Sequence, residues 1–293
     1  MNVFVTGGTG LVGSAVVSEL VAHGHAVTAL ARSDASVRAA EAAGATAVRG
    51  DLADLDLLRR EADHAEGVIH LAFRNDFSSQ QALAEAVAEE AAALDALGTT
   101  LVGTDRPLVT VAGTPLVPGR ASQETDPLNV EGPTGGRALA VNAVLDLASR
   151  GVRSSAIRLP RTVHRDGTGG FAGILTEAAR RAGAATYPGD GMQRWPAVHA
   201  LDAAVLFRLA LENAPAGTSW HAVADEGDAV ADIAAVIGRR LGVPVASQPI
   251  ETFGPLGPIF AADQPSSSAI TRAELGWTPT HPSLLEDLEL VQP

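Results

Sequence analysis

The first thirteen residues constrain the fold of this chain more than any other stretch. Residues 3–5 are a short apolar run, Gly7, Gly10 and Gly13 follow three residues apart, and residues 11–23 carry apolar side chains at helical spacing. In a strand that turns directly into a helix, the first glycine permits the tight turn, the second lets a pyrophosphate approach the backbone, and the third allows close helix–strand packing. The helix N terminus then presents free N–H groups and a partial positive charge. The stretch therefore predicts a dinucleotide-binding turn.

Strand and helix patterns alternate through the rest of the first half. Further strands are predicted at residues 26–30, 46–49, 67–71, 107–111 and 152–159. Helices are predicted at residues 35–43, from about 52 to 62, 79–97 and 135–150. Such alternation is typical of an α/β fold with a parallel, doubly wound sheet, right-handed crossovers and helices on both faces. Ligands of such sheets bind at the carboxyl ends of the strands.

The second half is less regular. Glycine and proline cluster at residues 165–170 and 187–191. A short strand leading into a helix is predicted over residues 198–211, a strand at 218–223 and a helix at 230–241. The stretch 253–268 is rich in proline, glycine and serine, and we expect a long loop over a pocket there.

Composition excludes several classes of function. The net charge of −13 argues against nucleic acid or an anionic membrane as the main partner, since both bind basic surfaces. The absence of cysteine excludes thiol chemistry, and because all 21 basic residues are arginine, no lysine can form a Schiff base. Asp51, Asp54 and Asp56 lack the further ligands that a metal site needs. With no signal peptide pattern, we expect a cytoplasmic protein.

Several motifs occur in the order of a known superfamily. They are TGGTGLVG at residues 6–13, GDL at 50–52, VIHLA at 68–72, RLP at 158–160 and VHALDAA at 198–204. With these motifs the chain resembles the short-chain dehydrogenase/reductase superfamily, in its extended and atypical branch related to sugar-nucleotide epimerases and dehydratases. The resemblance implies a Rossmann-type domain of residues 1–160 plus about 197–224, and a smaller substrate lobe of residues 161–196 plus 225–293. It also implies a small-molecule substrate and a homodimer.

The end of the second predicted strand indicates which cofactor is used. An NAD enzyme normally places a carboxylate about 20 residues past the glycines, where it binds the ribose 2′-hydroxyl. Here Ala31 occupies that place and is followed by Arg32 and Ser33. An arginine suits a 2′-phosphate, which it can grip through two parallel hydrogen bonds, although a solvated arginine at a helix start would look the same in sequence. We predict NADP(H).

Cofactor contacts are expected from the turn, from the second strand and, through the resemblance, from two later motifs. The predicted set is Gly7, Thr9, Gly10, Leu11, Val12, Gly13, Arg32 and Ser33, with Asp51 and Leu52 beside the adenine, and Leu71, Ala72 and Phe73 beside the ribose and nicotinamide. For His70, which ends a buried strand, the resemblance implies a structural role.

The catalytic pair of the superfamily is missing. Its oxidoreductases use a tyrosine as general acid, a lysine four residues later, and a serine or threonine that holds the substrate carbonyl. By spacing, Pro133 stands at the tyrosine position and Arg137 at the lysine position, and Thr114 is the hydroxyl at the strand end. An arginine can still bind the nicotinamide ribose as a fixed cation and donor.

Three outcomes follow from this loss. Hydride transfer can go to a substrate that needs little acid catalysis, such as an iminium ion, a conjugated enone or a quinone. The proton donor can instead be displaced, to His164 or to Tyr187, although a loop histidine is often structural and Tyr187 can simply pack. In the third outcome, redox chemistry is lost, and the protein is an isomerase, a cyclase, a sensor or a scaffold that binds NADP(H).

The predicted substrate pocket draws on residues from both lobes. It comprises Phe73, Arg74, Asn75, Thr114, Pro115, His164, Trp195 and Phe260. Core packing is an equally good reading of Trp195, and His199 and Asp202 are expected to cap a helix or join the domains. The leading hypothesis is an NADPH-dependent reductase of a small or medium ketone, enone or imine with a non-standard proton donor.

Overall fold

A computed structural model describes residues 1–76, 79–132 and 134–292. The strands are β1 (Asn2–Thr6), β2 (Ala26–Ala31), β3 (Thr46–Arg49), β4 (Gly67–His70), β5 (Pro107–Gly113), β6 (Arg153–Leu159), β7 (Thr162–His164), β8 (Ala185–Pro188), β9 (Arg194–His199), β10 (Thr218–His221), β11 (Asp225–Ala229) and β12 (Val245–Gln248).

Helices connect most of these strands. They are α1 (Leu11–Ala22), α2 (Asp34–Ala42), α3 (Leu55–His64), α4 (Gln80–Thr100), α5 (Gly135–Asp146), α6 (Gly170–Ala182), α7 (Ala200–Asn213), α8 (Val230–Leu241), α9 (Gly257–Phe260), α10 (Ala269–Leu275) and α11 (Leu284–Leu288), with 3-10 helices at Leu147–Arg150 and Ile250–Leu256.

The main sheet has seven strands in the order β10-β6-β5-β4-β1-β2-β3, and every pair in it is parallel. The order reverses between β1 and β4, so the carboxyl ends of these two strands flank the crevice where ligands of doubly wound sheets bind. The predicted α/β fold with a doubly wound parallel sheet is confirmed.

Alternation along the strands explains why both faces of the sheet are covered. Successive side chains point to opposite faces. Val3 and Val5 therefore pack in one core with α1 and α7, whereas Phe4 packs in a second core with α3 and α4. Burial of such continuous apolar runs provides most of the driving force for this layered arrangement.

A smaller region lies beyond the main sheet. It contains a three-stranded sheet, β11-β9-β7, and a two-stranded sheet, β12-β8. These pack with α6, α8 and α11 around a third core that includes Trp195 and Phe260. Strand β9 belongs to this region by its pairing, while the next helix, α7, packs on α1 of the main domain. The domain boundaries given above stay predictions.

Two expectations from the sequence meet a different structure. Residues 253–268 are not one long loop, because their first part is helical in the 3-10 turn and in α9. The ring of Phe260 anchors this segment by packing on Phe171 and Trp195. Pro133, at the expected tyrosine position, lies outside the described residues.

Within the described part of the chain, no helix combines the length and the apolar character required to cross a bilayer. The cytoplasmic location and the homodimer stay predictions.

Candidate active site

The glycine turn joins β1 to α1 with very little space. Gly7 has a φ of +73°, and a Cβ there would lie 2.7 Å from the backbone nitrogen of Ala72. A Cβ at Gly13 would lie 2.0 Å from the carbonyl oxygen of Gly7. Both positions therefore require glycine for packing within the protein itself.

Gly10 differs from its two neighbours. It has an extended φ of −77° at the N-cap of α1, and a Cβ there would meet only the Gly7 carbonyl oxygen, at 3.7 Å. No side chain caps α1, so its first N–H groups face outward without a protein acceptor from a capping residue. An open cradle in front of uncapped N–H groups fits a pyrophosphate.

The ends of β2 and β3 present two guanidinium groups. Arg32 is exposed and no described residue forms an ion pair with it, whereas Arg49 is paired with Asp34. Ser33 caps α2, since its Oγ accepts from the backbone N–H of Ser36 at 3.2 Å. Asp34 is thus already paired with Arg49, and Arg32 remains available to an anion.

The remaining predicted cofactor residues lie in the turn and just after β3. Thr9 and Leu11 are exposed, and Val12 is partly buried. Asp51 is exposed and its Oδ1 accepts the backbone N–H of Ala53 at 3.3 Å, while Leu52 is buried in the second core. Apart from Leu52, these side chains are at least partly exposed, and their contact with the cofactor stays a prediction.

Residues 71–73 directly follow the end of β4. The backbone N–H of Leu71 donates to the Thr6 carbonyl at 3.1 Å, and that of Ala72 donates to Thr6 Oγ1 at 3.4 Å. The next residue, Phe73, lies under the guanidinium of Arg137, with 3.9 Å between Cζ and the ring centroid. Residues 71–73, which were expected to border the ribose and nicotinamide, thus contact Thr6 at one end and Arg137 at the other.

Arg137 is held rigidly from two sides. Its Nε donates to Glu90 Oε2 at 2.7 Å and its Nη2 donates to Glu90 Oε1 at 2.8 Å, which is the bidentate geometry of an arginine–carboxylate pair. Glu90 lies on α4 with 2% of its surface exposed. Phe73 lies against one flat face of the guanidinium, and Nη1 makes no hydrogen bond to a described residue.

Beside Arg137 is a cleft of about 250 Å³ at the carboxyl end of β5. Its lining includes three residues predicted for the site, Thr114, Pro115 and Arg137. Gln264 Nε2 donates to the Thr114 carbonyl at 2.5 Å and lies 3.4 Å from Thr114 Oγ1. Because Gln264 supplies a donor, the Thr114 hydroxyl hydrogen can point into the cleft.

His70 is the last residue of β4 and is neutral at physiological pH. Burial, followed by the positive charge of Arg137, lowers the pKa of His70 to about 4. Its Nδ1 shares a hydrogen bond of 2.9 Å with Thr6 Oγ1. A fully buried imidazole in such a bond holds the ends of β1 and β4 together, in agreement with the structural role that the resemblance implies.

His164 lies away from the cleft, in the core between β7 and the C-terminal segment. Its ring is 1% exposed, and its Nδ1 donates to Asp287 Oδ2 at 3.0 Å. The same oxygen accepts the backbone N–H of Gly167 at 3.0 Å, and the ring of His199 lies edge-on at 5.4 Å. A ring without solvent access is poorly placed to exchange protons with a substrate, so this placement argues against our expectation of a displaced donor here.

Other predicted pocket residues also belong to the core of the smaller region. Trp195 is fully buried and packs against Phe171 and Phe260. Core packing, the alternative interpretation of Trp195 in the sequence analysis, is therefore what the structure shows. Tyr187 is partly buried in the same core, beside Gly191. None of these described aromatic side chains lines the cleft at Thr114.

Asn75 and Arg74 lie on the segment that follows Phe73. Asn75 is exposed. Arg74 forms ion pairs with two residues of α4, Glu89 at 3.5 Å and Glu85 at 3.8 Å. These two side chains lie at the outer end of the segment.

Capping and joining were the two roles expected for His199 and Asp202, and the structure shows the first for His199 and long-range contacts for Asp202. His199 Nδ1 accepts the backbone N–H of Leu201 at 3.3 Å at the start of α7. Asp202 Oδ1 accepts from the backbone N–H of Thr280 at 3.0 Å and from His281 Nδ1 at 2.8 Å. The pair thereby fastens the C-terminal segment to the main domain.

Comparisons with known proteins agree with this geometry. The profile of the NAD dependent epimerase/dehydratase family matches residues 3–223. The chain belongs to this family. The expected place in the extended branch of the short-chain dehydrogenase/reductases is therefore confirmed.

Relatives within this family span the whole chain. An uncharacterized protein of Schizosaccharomyces pombe is 43% identical over 292 residues, with 98% of both chains covered. An uncharacterized protein of Saccharomyces cerevisiae is 40% identical over 296 residues, again with 98% of both covered.

Two solved structures of epimerase/dehydratase enzymes share the fold. UDP-glucose 4-epimerase of Thermotoga maritima, solved with UDP-glucose, has a TM-score of 0.80 at 21% identity and covers 99% of this chain and 97% of its own. DesIV of Streptomyces venezuelae, a dTDP-glucose 4,6-dehydratase solved with NAD and TYD, has a TM-score of 0.79 at 19% identity, covering 99% and 95%. At these identities the likeness shows the fold alone.

Sequence reasoning missed the residues that complete the site of this family member. Glu90 could have been noticed as a carboxylate on the alanine-rich face of a predicted helix, but nothing local pairs it with Arg137, 47 residues away. Gln264 reaches Thr114 from 150 residues away and carries no sequence signal. Over the described ranges, no group of three or more histidine, aspartate or glutamate side chains is arranged to hold a metal.

Proposed function

We propose that this protein is an NADP(H)-dependent reductase of small or medium organic ketones, enones or imines. The observation that carries the proposal is the open turn at Gly10 together with Arg32, an exposed guanidinium just after β2 with which no described residue forms an ion pair. Both features suit a dinucleotide that bears an additional phosphate.

In this proposal the chain holds the cofactor along the crevice. The uncapped N terminus of α1 binds the pyrophosphate, and Arg32 and Ser33 bind the 2′-phosphate. Asp51 and Leu52 lie at the adenine, and Leu71, Ala72 and Phe73 border the nicotinamide half. When bound, NADPH supplies a hydride. DesIV was solved with NAD, which supports a nicotinamide dinucleotide in a fold of this kind.

Thr114 and Arg137 then position the substrate. The Thr114 hydroxyl donates a hydrogen bond to a carbonyl oxygen, and Arg137, whose charge is fixed in place by Glu90, stabilises negative charge that develops there. With no lysine in the chain and its single tyrosine in the core of the smaller region, a substrate that needs no strong acid suits the site best. An iminium ion accepts hydride without a proton, and a conjugated enone spreads the charge away from the reacting carbon.

Steady-state turnover tests the proposal. We expect NADPH to be oxidised, by its absorbance, with at least one member of a panel of cyclic imines, enones and ketones. Tight NADPH binding without oxidation across all three classes would contradict the reductase and support the second candidate, an NADP(H)-binding protein without redox activity.

Replacement of Arg32 tests the choice of cofactor. Arg32→Ala should weaken NADPH binding by about 10- to 100-fold, because hydrogen bonds to a charged phosphate each contribute about 1.5–3 kcal/mol. NADH, which lacks the phosphate, should bind the variant and the wild type equally. Calorimetric titration of both cofactors provides the measurement.

Arg38→Ala is the matched control, since Arg38 is an exposed arginine on α2, the helix that follows Arg32. It should leave both affinities unchanged. Equal loss of NADPH and NADH affinity in Arg32→Ala would show that the 2′-phosphate is not what Arg32 binds.

A further inference from the structure

Arg161 lies at the same edge of the sheet as the proposed site. It follows the end of β6 by two residues, and the carbonyl of Leu159 in that strand accepts the backbone N–H of Thr114 at 2.9 Å. Two residues of backbone span at most about 7 Å, so Arg161 begins close to the cleft.

The side chain of Arg161 has few partners for a partly buried charge. Its Nη1 donates to the Ile259 carbonyl at 2.8 Å, and its Cζ lies 5.4 Å from the centroid of Phe171. Its Nε is shielded from water and meets no acceptor, and no Asp or Glu among the described residues forms an ion pair with it. Burial lowers the pKa of Arg161 to about 10, which leaves it charged at neutral pH.

Two other arginines show how a carboxylate can pair side-on with a guanidinium. The Nε and Nη2 atoms of Arg137 are taken by the two oxygens of Glu90, and those of Arg194 by the carboxylate of Asp263. A side-on carboxylate thus pairs with the guanidinium in these two arginines, whereas the Nε of Arg158, like that of Arg161, meets no acceptor. Since the chain has 34 acidic residues for 21 basic ones, the lack of a partner for Arg161 does not arise from scarcity of carboxylates.

The segment that holds Arg161 is apolar on its outer side. Ile259 is 42% exposed, and Ile250 and Leu256 on the preceding 3-10 helix are 39% and 38% exposed. The same segment continues to Gln264, which contacts Thr114. A ligand that reaches from Thr114 to Arg161 would therefore meet a positive charge beside apolar surface.

We propose that Arg161 binds an anionic group of the substrate, a carboxylate or a phosphate, and makes the site selective for organic acids with an apolar body. This inference rests on the proposed reductase function, because it places the anion next to the carbonyl or imine held at Thr114. An anion at Nη2, which is not shielded from water as Nε is and makes no hydrogen bond to a described residue, would neutralise this partly buried charge.

Matched pairs of substrates test the proposal. Phenylpyruvate is compared with its methyl ester, and dihydroxyacetone phosphate with dihydroxyacetone, in NADPH oxidation by wild type, Arg161→Gln and Arg161→Lys. We expect at least one anion to be preferred over its neutral partner, and Arg161→Gln to lower kcat/KM for that anion by about 10- to 100-fold, much more than for the neutral partner. Arg161→Lys keeps the charge but loses the planar, forked guanidinium, so its kcat/KM for the anion should lie between those of the wild type and Arg161→Gln.

Arg165→Gln provides the control. Arg165 lies four residues further along, is partly exposed and pairs with Asp166 at 3.4 Å. It should leave the anion preference intact. Equal losses for the anion and the neutral compound in Arg161→Gln, or the same loss in Arg165→Gln, would overturn the proposal. Thermal unfolding of each variant shows whether it is folded.

Binding separates this inference from the reductase function. Phenylpyruvate and inorganic phosphate are titrated calorimetrically into each protein in the presence of NADP⁺. If no substrate is turned over, the reductase proposal fails, but weaker anion binding by Arg161→Gln than by wild type still supports the anion site. No anion binding by wild type, or equal binding by both proteins, overturns it.

Discussion

Glu90 is a buried carboxylate on an alanine-rich helix, a position that is costly unless its charge is compensated. Arg137 supplies that compensation through two hydrogen bonds, and the pair in turn fixes the guanidinium over Phe73. The two hydrogen bonds link α4 to the start of α5. Both helices lie on the same face of the sheet. A contact that stabilises the fold thereby also determines where the cation of the proposed site lies.

The substitution Glu90→Gln tests this coupling. It keeps the shape but removes the charge, and we expect the free energy of unfolding to fall by about 1–3 kcal/mol, because a partly buried guanidinium loses its counter-ion. In a double-mutant cycle with Arg137→Met, measured by urea unfolding, the coupling energy should be about as large as either single effect.

Glu85→Gln serves as the control on the same helix, since Glu85 is 57% exposed and lies 3.8 Å from its partner Arg74. Exposed pairs of this kind contribute little, so its effect should be under about 1 kcal/mol. A similar loss in both variants would assign the effect to the helix rather than to the buried pair.

At the scale of elements, the three glycines of the β1–α1 turn look alike in sequence but meet two different requirements, protein packing and ligand access. Gly7 and Gly13 are needed because backbone of the protein itself occupies the space of a Cβ. Gly10 is not needed for packing, since its Cβ would meet only one atom at 3.7 Å. The difference distinguishes stability from ligand binding.

Alanine at two of these positions checks the distinction. Gly13→Ala should lower the free energy of unfolding by about 1–3 kcal/mol or prevent folding, as overpacking does. Gly10→Ala should lower it by less than about 1 kcal/mol, the cost of a poorer helix cap, while NADPH binding is lost. Urea unfolding and calorimetry provide the two measurements; unchanged NADPH affinity in Gly10→Ala would place the pyrophosphate elsewhere.

At the scale of the whole molecule, buried titratable groups make stability depend on pH in opposing directions. Burial and then Arg137 lower the pKa of His70 to about 4, so acidification protonates the unfolded chain first and stability is lost as pH falls from 6.5 toward 4. Burial and then the nearby Asp225 raise the pKa of Asp228 to about 6, so stability is instead gained as pH falls from 6 toward 3.8.

Two variants should therefore change the pH dependence with opposite signs. His70 accounts for a loss of about 2 kcal/mol between pH 7.5 and 5, and His70→Asn, which keeps a partner for Thr6, should remove it. Asp228→Asn should make the loss on acidification larger. Urea unfolding at the two pH values measures both, and changes of the same sign would contradict the assignment.

The sequence was sufficient for the order and type of most elements in the main domain. The strand at Thr46–Arg49 and the helix at Val230–Leu241 have the predicted bounds, because apolar periodicity and glycine stops are local signals. The helical character of residues 250–260 was missed, since proline and glycine masked a segment that is anchored by the distant packing of Phe260.

The candidate site was only partly predictable. Thr114, Pro115 and Arg137 were expected in the site and do line one cleft, because parallel strands and the helices that follow them meet at one edge of the sheet. His164 was expected near that edge as well, but its ring turns into the smaller region toward Asp287, 123 residues away. Trp195 and Phe260 likewise pack with each other.

The sequence by itself determined the glycine turn, the alternation that builds a doubly wound sheet, and the arginine that replaces an acid after β2. These depend on backbone conformation and side-chain periodicity within a few residues. Only the tertiary structure decided that Glu90 neutralises Arg137 while Arg161 has no carboxylate partner among the described residues. The pairing of a charge depends on which side chains distant segments bring within a few ångströms, and no local pattern encodes that distance.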